Sequence, residues 1–145
     1  TVSGCITRSN GLDVDAHVYR NLVNWGKCNT LQFTSSMEFG EMASAAPHGH
    51  VHFAFDIRIS DLSTETRKRA LNIIKVRIVR AANIPTNANY STTVSFLKTN
   101  TQGMAKQTKP GVYAYCWKEY SDTRFKSTTA DDDEVEALFQ DLEDL

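Results

Sequence analysis

The sequence of 145 residues has few cysteines and no long hydrophobic run. Its three cysteines, Cys5, Cys28 and Cys116, are odd in number and have neither the spacing of a disulfide framework nor that of a zinc site. We therefore expect reduced thiols and an intracellular protein. No apolar stretch approaches the roughly eighteen residues of a membrane span, and no signal peptide is recognisable, so we expect no membrane partner.

Nucleotide-hydrolysing motifs and repeats are also missing. The phosphate-binding pattern Gly-x-x-x-x-Gly-Lys followed by Ser or Thr does not occur, which argues against an ATPase. The length and the hydrophobic fraction of 41% fit one globular domain. Because the chain starts at Thr1 rather than Met, we expect it to be processed or excised from a longer protein.

Acidic residues are scarce outside the last fifteen positions. Residues 131–145 contain eight acids and no base, so the other nine acids face all sixteen lysines and arginines, a net charge of +7 for residues 1–130. A basic body is typical of nucleic-acid-binding proteins, although many soluble domains carry similar charge. We therefore divide the chain into a domain at 1–130 and an acidic tail or linker at 131–145. This tail can also act as an interaction segment or as a competitor for the basic surface.

Three of the four histidines lie within five residues, in the segment Pro-His-Gly-His-Val-His-Phe-Ala-Phe at 47–55. In a strand, side chains alternate between faces, so His50 and His52 would point one way while Val51, Phe53 and Phe55 point into a core. We expect the two imidazoles on the exposed face of this strand. Two adjacent imidazoles on a rigid element favour a divalent metal site, while the alternative is a half-buried strand with a histidine-bearing polar face.

The remaining periodicity predicts an α+β fold with an antiparallel-centred sheet and flanking helices. Strands are predicted at 1–7, 29–39, 50–59 and 91–97. A helix capped by Asp13 or Asp15 should reach Trp25 and end at Gly26, a basic helix should span 67–80, and a helix should cover 111–119. The basic helix can present either a solvated face or a DNA contact. Residues 121–130 show no element.

The segment 113–119 reads Tyr-Ala-Tyr-Cys-Trp-Lys-Glu. Residues three apart on a helix share a face, so Tyr115 and Lys118 would project together while Tyr113 points elsewhere. A tyrosine that attacks phosphorus benefits from a metal ion that polarises the phosphate and from a nearby cation.

A His-hydrophobe-His strand followed by Tyr-x-x-Lys on a helix resembles the HUH endonuclease domain of rolling-circle replication initiators. The closest pattern is that of the Rep proteins of small circular single-stranded DNA viruses, whose third motif often reads Tyr-Cys-x-Lys-Glu, as residues 115–119 do here. The resemblance covers most of residues 1–126. It includes Glu-x-Gly at 38–40 and, more loosely, a first motif at residues 5–10. Two histidines stand where viral Reps often have His-x-Gln, and the loop before the tyrosine is longer than in compact Reps.

The resemblance implies a sandwich of the HUH type, related to RNA-recognition folds, and a metal site for Mn²⁺ or Mg²⁺ formed by Glu38, His50 and His52. Glu41 is an alternative carboxylate, and His48 is a less favoured ligand. It further implies that Tyr115 attacks single-stranded DNA at a replication origin, leaving a 5′-phosphotyrosine and a free 3′-OH, and that Lys118 orients the phosphate. DNA contacts are expected from Thr7, Arg8, Asn10, Lys106 and Lys109.

Two other functions are compatible with the same residues. A basic nucleic-acid-binding module without catalysis would use the histidines structurally. A metal-dependent phosphodiesterase would activate water and keep Tyr115 buried. Viral Reps usually carry a helicase domain after the nuclease, so the resemblance leaves open a nuclease-only protein or a domain excised from a longer parent protein with a helicase domain. It is also compatible with homo-oligomers, and for a virus of a eukaryote it implies the host nucleus.

Overall fold

A computed structural model describes residues 1–39, 49–58, 66–85, 89–98, 107–117 and 125–128. Within these ranges the chain forms a sheet of five strands and three α-helices. The strands are β1 (Val2–Arg8), β2 (Gln32–Glu38), β3 (His50–Asp56), β4 (Tyr90–Phe96) and β5 (Phe125–Thr128). The helices are α1 (Ala16–Asn29), α2 (Arg67–Ala81) and α3 (Lys109–Tyr115), and a short 3₁₀ turn spans Ser9–Gly11.

The sheet has the strand order β4-β1-β3-β2-β5, and every neighbouring pair is antiparallel. Its first four strands, with α1 and α2 as crossovers, have the βαββαβ connectivity of ferredoxin-like sheets. The crossovers place β3 beside β1, in the centre of the sheet. The predicted α+β class with an antiparallel-centred sheet is confirmed.

The two faces of the sheet differ in what covers them. On one face, side chains of β1, β2 and β3 pack with α1 and α2 in the main core, which contains Ile6, Phe33, Phe53 and Ile74. On the other face, α3 packs over Ala54 in a smaller cluster that includes Tyr113, Cys116 and Trp117. The central strand β3 is therefore buried on both faces.

The main differences from the prediction concern two helices and one strand. Helix α1 continues through Gly26 to Asn29, and position 26 is a glycine for a tertiary reason, since a side chain there would meet the ring of Phe33 at 2.3 Å. Helix α3 spans Lys109–Tyr115 rather than 111–119. Strand β5, which pairs with β2 at the sheet edge, was not predicted at all.

Helix α2 agrees closely with the predicted span. Thr66 occupies its N-cap and accepts a hydrogen bond from the backbone N–H of Arg69 at 3.2 Å. None of the described helices is both long and apolar enough to cross a bilayer. The tail at 131–145 lies outside the described residues.

Candidate metal centre

The candidate metal ligands come from two neighbouring strands whose register brings them together. Glu38, the last residue of β2, lies directly opposite His50 at the start of β3, and Ser36 lies opposite His52. Because side chains alternate along each strand, all of these residues face the side that α3 covers. Glu38 Oε2 is 3.6 Å from His50 Nε2 and 3.3 Å from His52 Nε2. One ligand atom from each of the three residues lies within 4.8 Å of the others.

The predicted exposure of the two histidines is wrong. His50 is 1% exposed, His52 is 9% exposed and Glu38 is fully buried. The strand period correctly places both imidazoles opposite the core, but α3 adds a second layer on that side. Of the three ligands, His52 lines an open groove that the described residues form, whereas Glu38 and His50 do not, so this groove reaches the cluster from the His52 side.

The three side chains fit a divalent cation. Glu38 Oε2 is buried and accepts no hydrogen bond within the described residues, which is costly for a carboxylate oxygen unless a cation compensates it. Ligand atoms at about 2.1 Å from one ion lie about 3 Å apart when adjacent, which suits the observed spacing. Two imidazoles and one carboxylate are a donor set used for first-row divalent metals, including Mn²⁺.

Helix α3 and the two residues that follow it are held onto the sheet by a row of hydrogen bonds to alternate residues of β2. The Tyr113 hydroxyl donates to the Gln32 carbonyl at 3.2 Å, and Trp117 Nε1 donates to Thr34 Oγ1 at 2.8 Å. The Ser36 hydroxyl donates to the Cys116 carbonyl. These three positions precede Glu38 on the same face of β2. One strand face therefore both anchors α3 and supplies the carboxylate ligand.

Tyr115, the last residue of α3, lies beside the candidate metal ligands. Its ring centroid is 5.3 Å from that of His52 in an edge-on arrangement, and the His52 and His50 rings are 4.9 Å apart. Tyr115 is 49% exposed. The phosphodiesterase alternative assumed a buried Tyr115, and that part of it is wrong.

Tyr113 has the opposite environment. Its side chain is buried, and burial raises the pKa of its hydroxyl well above the usual range, with the charge of Asp56 acting in the same direction. The same cause raises the pKa of the Cys116 thiol, to which the charge of Glu38 adds. Neither group is suited to act as an anionic nucleophile at neutral pH, whereas Tyr115 reaches solvent.

An open groove of about 700 Å³ extends from Tyr115 and His52 along β1 and β4. Its floor is formed by small side chains that share the face of the metal ligands, and α3 forms one wall. The residues on the floor and at the far end include Ser3, Cys5, Thr93, Ser95 and Lys98. The groove therefore leads an extended ligand to Tyr115 and to the exposed edge of His52.

The predicted DNA contacts fall in different places. Thr7 lies on β1 on the same face as Cys5, whereas Arg8 points to the other face, 3.5 Å from Asp15 and over the Tyr90 ring. Asn10 lies in the 3₁₀ turn. Lys109 pairs with Asp56 at 2.5 Å at the start of α3. The residues predicted to assist the site that lie outside the described ranges are Glu41, His48, Lys106 and Lys118.

Sequence reasoning missed two contributors to this region. Lys98 borders the groove just beyond β4, and only the pairing of β4 with β1 brings it there. Ser36 contacts both Cys116 and Glu38, with its hydroxyl 3.4 Å from Glu38 Oε1. The alternation of polar side chains at 32, 34, 36 and 38 was a usable signal that this face of β2 meets something polar.

Comparison of the chain with protein families, with curated proteins and with solved structures found no match. The resemblance to HUH endonucleases therefore rests on the sequence motifs at 38–40, 50–52 and 115–119 and, more loosely, on residues 5–10.

Proposed function

We propose that this protein is a metal-dependent endonuclease that nicks and rejoins single-stranded DNA through Tyr115 and so initiates rolling-circle replication. The observation that carries the proposal is the position of Tyr115. Its half-exposed ring lies 5.3 Å from His52, which belongs to a cluster of two histidines and one carboxylate that fits a divalent ion. A buried histidine pair with a purely structural role would not require an accessible tyrosine beside its more exposed member, His52.

Glu38, His50 and His52 would hold Mn²⁺ or Mg²⁺, which when bound supplies positive charge to polarise a phosphate oxygen. Burial of these ligands keeps water and competing anions away from all but the His52 edge. Helix α3 orients the Tyr115 ring toward that edge through its hydrogen bonds to β2.

The covalent step transfers a phosphoryl group to Tyr115. The Tyr115 hydroxyl oxygen attacks phosphorus, the bond from phosphorus to the 3′ oxygen breaks, and a phosphotyrosine ester to the 5′ side forms. The proton lost by the tyrosine hydroxyl is balanced by the proton that the departing 3′ oxygen gains. Attack by a 3′-OH reverses each bond change and joins the ends. Lys118 is proposed to offset phosphate charge during this step.

The groove beside Tyr115 supports single-stranded DNA as the substrate. It is open, its floor carries hydroxyl groups of small residues, and Lys98 lies at its border. Hydroxyl and lysine side chains contact phosphate and sugar atoms without reading base sequence. We infer that this groove holds the nucleotides next to the scissile phosphate.

The test is the formation of a covalent protein–DNA adduct. The protein is incubated with labelled single-stranded oligonucleotides and Mn²⁺, with EDTA as the control, and is separated on a denaturing gel. We expect a labelled band at the mass of protein plus oligonucleotide, which EDTA abolishes. Cleavage without adduct would instead support a phosphodiesterase that uses water. Binding without cleavage would support a non-catalytic module, and either outcome would refute the tyrosine mechanism.

A further inference from the structure

Helix α2 carries a dense positive charge on the side of the sheet opposite to the metal centre. Its buried side chains, Ala70, Ile74 and Ile78, pack in the core that α1 and α2 share with the sheet. No acidic residue occurs between 66 and 85. The basic face of α2 consists of six exposed side chains, namely Arg67, Lys68, Arg69, Lys75, Arg77 and Arg80.

This charge is not neutralised within the described part of the chain, where none of the six residues forms an ion pair. The carboxylates described are engaged elsewhere. Asp13 accepts a hydrogen bond from a backbone N–H, and Asp15 pairs with Arg8. Glu38 belongs to the candidate metal centre, and Asp56 pairs with Lys109. The basic face of α2 therefore presents six positive charges, of which that of Arg67 also lies over the Phe96 ring, 4.9 Å from its centroid.

Helix stability does not explain these six residues. The first turn of a helix favours acidic side chains because of the helix dipole, yet α2 begins with three successive cations. Arg77 and Arg80 are three residues apart, a spacing at which like charges repel each other. Such an arrangement destabilises the folded protein, and an anionic partner would relieve the repulsion between the like charges.

We propose that the basic face of α2 is a docking surface for the sugar-phosphate backbone of duplex DNA. Four of its six cations are arginines, whose guanidinium groups bind phosphate oxygens in pairs. From Arg67 to Arg80 the helix extends about 20 Å, enough to contact several successive phosphates.

The uncharged residues of α2 favour duplex DNA over other polyanionic partners. The helix contains no aromatic side chain, so it offers no platform on which the bases of a single strand can stack. Val76 is its one large apolar side chain with substantial exposure, so it lacks the apolar face by which helices enter a lipid interface. Binding through phosphate contacts alone is then the remaining way for α2 to hold a polyanion. This kind of binding suits a duplex, whose bases are already paired with each other.

The inference of this docking surface rests on the proposed function in one respect, namely that the bound polyanion is DNA. Because α2 and α3 pack on opposite faces of the sheet, the duplex surface and the nicking site are separate. A nicking enzyme that holds duplex DNA on one face retains the molecule while a single strand enters the groove on the other.

The test measures binding of full-length protein to a labelled blunt 20-base-pair duplex by fluorescence anisotropy at 50 and 200 mM salt. The variant K75Q/R80Q removes one lysine and one arginine from the basic face of α2. The matched control R20Q/K27Q removes the same two charges from exposed positions on α1. Glutamine favours helix, so both variants should keep the native circular dichroism spectrum.

We expect K75Q/R80Q to weaken duplex binding at 50 mM salt by roughly tenfold or more and to reduce the salt slope by about 1.8, while the control changes either value little. Equal losses in the two variants would overturn the proposal, because they would show diffuse attraction to the basic domain. Loss of binding to vesicles containing phosphatidylserine, with duplex binding intact, would also overturn it.

The same samples separate this inference from the nicking activity. K75Q/R80Q should form the covalent adduct with a single-stranded oligonucleotide to within twofold of the wild type. If no adduct forms with any variant but the α2 variant alone loses the duplex, the nicking proposal fails and the docking surface stands. If the adduct forms and no variant affects duplex binding, the docking surface fails alone.

Discussion

The two neighbouring tyrosines of α3 allow the proposed chemistry and the structure to be tested separately. Tyr115→Phe and Tyr113→Phe each remove a single oxygen and keep the ring. We expect Tyr115→Phe to abolish the covalent adduct and leave stability unchanged. Tyr113→Phe should lower stability and keep the adduct, because two positions along a helix turn a side chain about 200° away.

The magnitudes follow from the two environments. The Tyr113 hydroxyl is buried and donates to the Gln32 carbonyl at 3.2 Å, so its removal should cost about 1 kcal/mol of unfolding free energy. For a chain of this size, that corresponds to a fall in Tm of about 4 °C. The Tyr115 side chain is half exposed, and substitutions at such positions usually change stability by less than about 0.5 kcal/mol.

Two assays on the same protein preparations decide the outcome. Thermal unfolding gives Tm, and a denaturing gel after incubation with single-stranded DNA and Mn²⁺ gives the adduct. An adduct with Tyr115→Phe but none with Tyr113→Phe would show that the nucleophile has been assigned to the wrong tyrosine. Adducts with both variants would exclude a tyrosine mechanism at this helix.

Three further changes test the metal centre, the anchoring of α3 and the tail. Saturating Mn²⁺ should raise Tm, since a ligand at one hundred times its Kd adds about 2.7 kcal/mol to the free energy of unfolding. Calorimetry should show that Glu38→Gln and His50→Ala lose this rise in Tm. An unchanged rise in both variants would exclude these residues as ligands. Burial raises the pKa of Asp56, but its hydrogen bonds to Lys109 and Thr1 outweigh burial and lower it below 3.8. The stabilisation from Asp56 is therefore fully present above pH 3.8 and is lost as the pH falls through the lowered pKa of the folded protein. Between pH 6 and pH 2.5, the Tm of Asp56→Asn should fall less than that of the wild type. Equal falls in Tm would contradict this role of Asp56. Deletion of residues 131–145 removes eight acids from the chain and leaves its basic part intact. It should therefore strengthen duplex binding at low salt and have a smaller effect at high salt. Equal affinities of the full and shortened chains in anisotropy titrations would exclude competition by the tail.

The period of two in residues 50–55 was enough to predict which way His50 and His52 point. The pattern could not predict their burial, because an alternating strand indicates a polar face without indicating what covers it. That cover depends on Thr34 and Ser36, whose hydroxyl groups form hydrogen bonds with the two residues that directly follow α3, 83 and 80 positions away in the sequence. A local pattern of serine and threonine carries no record of so distant a partner.

Two other differences have equally physical causes. Gly26 looks like the end of a helix, yet here the missing side chain makes room for Phe33, which belongs to the next strand. Strand β5 joins the sheet by backbone hydrogen bonds at the edge of β2, and such bonds place little demand on side-chain identity. In both cases a tertiary contact decides between structures that the local sequence permits.

Because one face of β2 both anchors α3 and provides Glu38, the binding of a metal ion by Glu38 would be thermodynamically linked to the docking of α3. The Ser36 hydroxyl makes this link direct, since it contacts the Cys116 carbonyl and the Glu38 carboxylate. An ion that draws Glu38 into a fixed position would then also change how firmly α3 is held, and by reciprocity loosening α3 would change the affinity for that ion by the same factor. An enzyme built in this way would bring its nucleophile into register in the same event that loads its metal, so that a metal-free molecule would also have a less well-ordered tyrosine.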